Sequence, residues 1–133
     1  MIEVEEAQNQ SGTIGIVDDD ESLREALGSV LKAAGLSART FASAEDFLAC
    51  EDRDNTRCLV LDVRLPGMSG IELQNQLRQT DRRLPIIFIT GHGDAWLRDS
   101  LVRLGASAFL NKPVRSDALL REIRSALDGP RTK

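Results

Sequence analysis

Cys58-Leu59-Val60-Leu61-Asp62 is an unbroken apolar run closed by a carboxylate. A strand with one face in water alternates polar and apolar residues, whereas a strand covered on both faces reads as a continuous apolar run. Working outward, similar runs recur at Thr13–Val17, Pro85–Ile89 and Ala106–Leu110, with a weaker one at Ser37–Phe41. Between them apolar residues fall at helical spacing. The first set is Leu23, Ala26, Leu27, Val30, Leu31 and Ala34, stopped by Gly35. A short segment, Ser43–Cys50, precedes the quoted run, and Ile71, Leu73 and Leu77 follow it. Leu97, Leu101 and Leu104 form the next stripe; Leu119, Leu120, Ile123 and Leu127 form the last, ended by Gly129 and Pro130. Ser22 stands three before Glu25 and Ser69 three before Glu72, the spacing of capping boxes, while Ser43, Asp94 and Ser116 are N-cap candidates. Strands alternating with helices in this way predict an α/β fold, a doubly wound five-stranded parallel sheet with helices on both faces.

The alternation fills residues 13–128 of a 133-residue chain, the size of one domain, and leaves 1–12 and 129–133 as expected N- and C-terminal tails. With 41% hydrophobic and 29% charged residues the composition is that of a globular protein and not of a disordered one. No apolar stretch approaches the ~20 residues that span a bilayer. The first residues carry Glu3, Glu5 and Glu6 where a secretory signal needs an apolar segment, so a cytoplasmic protein without membrane contact is expected. The net charge is −4 and the arginines are scattered, which argues against direct binding of nucleic acid. Cys50 and Cys58 lie outside any metal-ligand spacing and read as reduced thiols.

In a doubly wound sheet, polar groups just past the carboxyl ends of the strands converge on one crevice. Those ends supply Asp18, Asp19 and Asp20 after the first strand, Asp62 after the third, Thr90 after the fourth, and Lys112 with Pro113 after the fifth; the second, ending in Phe41, supplies nothing. Singly, each has a plain explanation: the acidic triplet could cap a helix, Asp62 could serve a turn, and Lys112 could be a solvated surface lysine. Together they form a charge problem with a chemical solution. Clustered carboxylates repel, and a hard divalent cation such as Mg²⁺ with the Lys112 ammonium would compensate them. A phosphoryl group bridging cation, lysine and hydroxyl would complete the set, and the nucleophile would be a carboxylate.

The segments Ile16–Asp20 (I-V-D-D-D), Leu61–Gly70 (L-D-V-R-L-P-G-M-S-G), Ile89–Asp94 (I-T-G-H-G-D) and Phe109–Pro113 (F-L-N-K-P), in this order, resemble the response-regulator receiver domain. The T-G-H-G-D stretch is most similar to FixJ-type receivers. The resemblance implies a sheet of order 2-1-3-4-5 and a two-component switch in which Asp62 takes a phosphoryl group from a sensor histidine kinase or a small phosphodonor. Such a domain catalyses only its own phosphorylation and dephosphorylation. It implies Mg²⁺, with Mn²⁺ or Ca²⁺ as substitutes, held directly by Asp19, through water by Asp18, by Asp62 and by the backbone carbonyl of Arg64. Thr90 and Lys112 would hold the phosphoryl oxygens, Phe109 would be the aromatic switch, and Lys112–Pro113 would be a cis peptide. Gly91 and His92 would sit on the rim of the site. The output surface would comprise the fourth helix, fifth strand and fifth helix, with a phosphorylation-dependent homodimer as one partner state. Ala95–Asp99, with Trp96 expected to pack on a helix face, departs from the V-P-M-A-V of FixJ-type receivers at that surface.

The same residues admit other readings. A haloacid-dehalogenase-like phosphatase would use Asp18 and Asp20 as its D-x-D, but needs an acidic pair after the lysine. Only Asp117 and Asp128 follow, in helical segments, and no cap insertion is present. A flavodoxin-like FMN carrier would place phosphate where three aspartates repel it. A receiver-like module that binds partners without phosphorylation would not need the complete residue set. Since FixJ-type receivers commonly precede a helix-turn-helix domain, either a stand-alone or an excised receiver is expected.

Overall fold

The structure, a computed structural model, describes residues 12–80, 84–91 and 97–128. In chain order these form β1 (Thr13–Val17), α1 (Glu21–Ala33), β2 (Ala38–Phe41), α2 (Ala44–Ala49), β3 (Thr56–Asp62), α3 (Gly70–Gln79), β4 (Ile86–Thr90), α4 (Arg98–Arg103), β5 (Ala108–Asn111) and α5 (Ser116–Asp128). A 3₁₀ turn, Arg53–Asn55, leads into β3. Every strand pair is parallel and the order is β2-β1-β3-β4-β5. β3 is therefore the central strand, pairing Val60 with Ile16 on one side and with Ile87 on the other.

Successive side chains of a strand point to opposite faces, so an unbroken apolar run must feed two cores. Cys58 and Val60 join Ile14, Ile16, Ile87 and Ile89 beneath Leu27 and Leu31 of α1 and Leu119 and Ile123 of α5. Leu59 and Leu61 join Val17 and Phe88 beneath Phe47 of α2, Leu73 and Leu77 of α3 and Leu101 of α4. Each fully buried side chain of this size contributes about 1.5–3 kcal/mol relative to exposure. Phe47 also meets Phe41 edge to face, with centroids 5.4 Å apart, which ties α2 to the edge strand β2. Among the described residues no helix is long and apolar enough to cross a membrane.

Several local expectations shift. Asp20, not Ser22, caps α1: its side chain accepts the Leu23 N–H, and Ser22 lies inside the helix. Ser116 is the first residue of α5 and not its cap, and the Leu119 N–H bonds to the Arg115 carbonyl. β5 starts at Ala108 because Gly105, at φ 104°, turns the chain after α4 while the Ala106 N–H closes onto Leu101 O. Ser43 caps α2, and Ser69 with Glu72 forms a complete capping box on α3. Asp94, Gly129 and Pro130 lie outside the described residues, as does Trp96.

Both cysteines are free thiols. Burial in the central strand pushes the Cys58 thiol up to about 12, so almost no nucleophilic thiolate forms there. Cys50 is half-buried. Alkylation of the native protein at mildly alkaline pH should modify Cys50 alone, with Cys58 reacting only in denaturant, as read by intact mass.

Candidate functional site

The β1–α1 turn is set by its own carboxylates. Asp18, fully buried, donates its N–H to Phe41 O at 3.1 Å and accepts the Asp20 N–H on Oδ1 at 2.8 Å. This bond holds Asp20 extended as the α1 cap and leaves Asp19 exposed between the two. Arg24, one turn into α1, donates to the Asp18 carbonyl at 2.8 Å and fixes the turn from behind.

Asp62 ends the central strand and is 4% exposed. Its Oδ1 accepts the Arg64 N–H at 3.0 Å. Gly70 opens α3 directly against this strand end: its N–H bonds to Val63 O at 3.0 Å, and any Cβ would overlap the Asp62 carbonyl oxygen. Thr90 ends β4 fully buried, with its hydroxyl 3.5 Å from Gly91 O. Its carbonyl accepts the Lys112 N–H at 2.7 Å, which aligns the end of β5 and precedes a cis Lys112–Pro113 peptide. Phe109 of β5 is nearly buried, with the Arg98 guanidinium 5.4 Å from its ring centre.

These ends meet at one ammonium. Lys112 Nζ lies 3.1 Å from Asp18 Oδ2 and 3.1 Å from Asp62 Oδ2. Burial pushes the Asp62 carboxyl up to about 6; the Arg64 N–H and Lys112 pull it down, and the Asp18 charge raises it further. Burial pulls Lys112 down, but its bonds and charge contacts with Asp62 and Asp18 outweigh this and leave it above its usual value. One cation thus serves two buried carboxylates. Asp18 Oδ2 is buried and has the Lys112 ammonium at 3.1 Å, but no donor aligned on it as a regular hydrogen bond. Oxygen atoms of Asp18, Asp19 and Asp62 lie within 4.8 Å of one another, an all-oxygen donor set that fits a small hard divalent cation.

Asp18, Asp19, Asp62 and Lys112 are therefore brought together, with Arg64 hydrogen-bonded at the border and Thr90 joined to Lys112 through the backbone. Asp20 is taken up as a cap. Gly91 directly follows Thr90; His92 lies outside the described residues. Arg24, Gly70 and a further contact, Glu45 Oε2 accepting the Met68 N–H at 2.8 Å, escape a reading of the sequence. A helix arginine gives no signal that it folds back onto the turn before it, nor a helix glutamate of a bond to a distant loop.

The sequence model of the response regulator receiver domain matches residues 14–124. The response regulator protein TodT of Pseudomonas putida is 44% identical over 119 residues, covering 90% of this chain and 52% of TodT. Among solved structures, the response regulator StyR superposes with a TM-score of 0.79 at 46% identity, covering 86% of this chain and 58% of that one. FixJ-N superposes with a TM-score of 0.79 at 36% identity, covering 90% and 95% respectively. The chain spans about half the length of the curated relatives it matches.

Proposed function

The chain belongs to the response-regulator receiver domains of two-component systems, and on that premise we propose that it is a phosphorylation switch whose acceptor is Asp62. The observation that carries this reading is the Asp18–Lys112–Asp62 contact, in which one ammonium lies 3.1 Å from each of two buried carboxylates beside the exposed Asp19. Asp19 and Asp62 directly, Asp18 through water and the Arg64 carbonyl would hold Mg²⁺, with Mn²⁺ or Ca²⁺ as substitutes. When bound, the ion supplies positive charge to the phosphoryl oxygens.

The remaining work belongs to the chain. The Arg64 N–H fixes Asp62 Oδ1 and so orients the carboxylate. An Asp62 oxygen forms the new bond to phosphorus as the bond from phosphorus to the donor breaks; the donor is a phosphohistidine of the sensor kinase or a small acyl phosphate. Lys112 turns from the two carboxylates to the new phosphoryl oxygens, and the Thr90 hydroxyl donates to another. Movement of Thr90 shifts the packing of Phe109, which carries Arg98 and with it α4. The α4–β5–α5 surface then changes its partners, a second copy of the chain among them. Water reverses the modification at the same site.

Two carboxylates that the phosphatase alternative would use are engaged elsewhere: Asp20 caps α1, and Asp117 pairs with Arg115 at 3.2 Å at the exposed start of α5. Acetyl phosphate with Mg²⁺ should add the mass of one phosphoryl group, labile to hydroxylamine as an acyl phosphate is. A protein that keeps its mass with this donor and with a competent histidine kinase overturns the reading.

A further inference from the structure

Glu45 stands in the first turn of α2, where an exposed acidic residue ordinarily does no more than complement the helix dipole. Here its carboxylate spans to another element. Oε2 accepts the Met68 N–H at 2.8 Å, a contact between residues far apart in sequence. A Cβ on Gly67 would lie only 2.6 Å from the same oxygen, and Gly67 itself adopts φ 73°, so a glycine is required there on two counts. The hydrogen bond from Met68 also holds the Glu45 carboxyl below its usual range. The loop being gripped runs from Asp62 to α3. Its ends are secured, at Val63 by the bond to Ile89 O and at Ser69 by the capping box. Its apex, Pro66–Met68, contains a proline without an N–H, and the Met68 N–H is the apex donor that Glu45 holds. The tie has a rigid base, because Ala44 and Phe47 on either side of Glu45 are fully buried.

We propose that Glu45 is a positioning residue for the Asp62 site: its carboxylate clamps the loop apex through Met68 and thereby holds the Arg64 backbone, whose N–H orients Asp62. This rests on the receiver function proposed above, in which Arg64 would also present its carbonyl to the cation. Groups that orient ligands from behind commonly change metal affinity when removed.

The test compares Glu45→Ala with Glu45→Gln, whose amide oxygen can accept the same bond, in the full chain. In Mg²⁺-free protein, amide exchange at Met68 and Arg64 should speed up about tenfold in Glu45→Ala, while the β3 amides keep the parent rates. Calorimetric titration should show Mg²⁺ binding about tenfold weaker in Glu45→Ala and within about twofold of the parent in Glu45→Gln. Unchanged exchange at Arg64, or unchanged Mg²⁺ affinity in Glu45→Ala, overturns the clamp. If the parent binds Mg²⁺ but takes no phosphoryl group, the switch function falls while the exchange and titration results still decide for or against Glu45.

Discussion

Asp62→Asn should end phosphorylation and, without metal, make the protein more stable at neutral pH. The first effect follows from removing the nucleophilic oxygen: the rate of modification by acetyl phosphate should fall by about a thousandfold or more, as when other covalent nucleophiles are deleted. The second follows from burial. The Asp62 carboxyl sits at about 6 in the folded protein against an ordinary 3.8. The native state thus binds this proton more tightly than the unfolded chain does. The associated stability is fully present below about pH 4 and is lost as the pH rises through about 6. Asparagine never acquires the charge, so at neutral pH it recovers about 1–3 kcal/mol of this loss. Urea midpoints of parent and variant should converge near pH ~4 and separate at neutral pH. Added Mg²⁺ should stabilise the parent and leave the variant nearly unmoved. A variant less stable than the parent at neutral pH, in metal-free buffer, would falsify this electrostatic account.

Lys112→Ala should act in the opposite sense on stability. It strips the shared counter-charge from a fully buried Asp18 and a nearly buried Asp62. Breaking a buried pair by deleting one partner typically costs 3–5 kcal/mol. The lysine side chain is 29% exposed, so water softens the loss to about 2–4 kcal/mol in metal-free buffer. The two unpaired carboxylates should then gain more from Mg²⁺ than the parent does. Denaturation curves with and without Mg²⁺ would show a larger metal-dependent shift in the variant, alongside failure to switch in phosphodonor. Equal metal-dependent shifts would mean that Lys112 and the cation do not share the same carboxylates.

How much of this could be read from the sequence depends on whether a feature is local. β3 and β4 were legible because a strand buried on both faces cannot hide polar residues, and all five residues of β4 are buried. β2, at the sheet edge, exposes Arg39 and Thr40 and so reads weakly. The carboxylates were legible because parallel topology sends every strand end to the same side. The α1 cap was misassigned because Asp20 and Ser22 are both competent, and the deciding bond, Asp20 N–H to Asp18, depends on where the buried Asp18 side chain points. That one ammonium would lie equally close to two carboxylates could not be read from residue types. Nor could the Arg24 and Glu45 contacts, which join surfaces with no common period.

The sheet order has a further consequence for how this crevice comes apart. Asp62 belongs to the strand at the middle, supported on both flanks, whereas Lys112 follows the strand at the border, bonded on one flank only. When the border frays, the ammonium departs first and the carboxylates are left facing each other across an otherwise intact sheet. Loss of charge balance should thus precede loss of architecture, and a divalent ion bound as proposed would guard the centre after its lysine has gone.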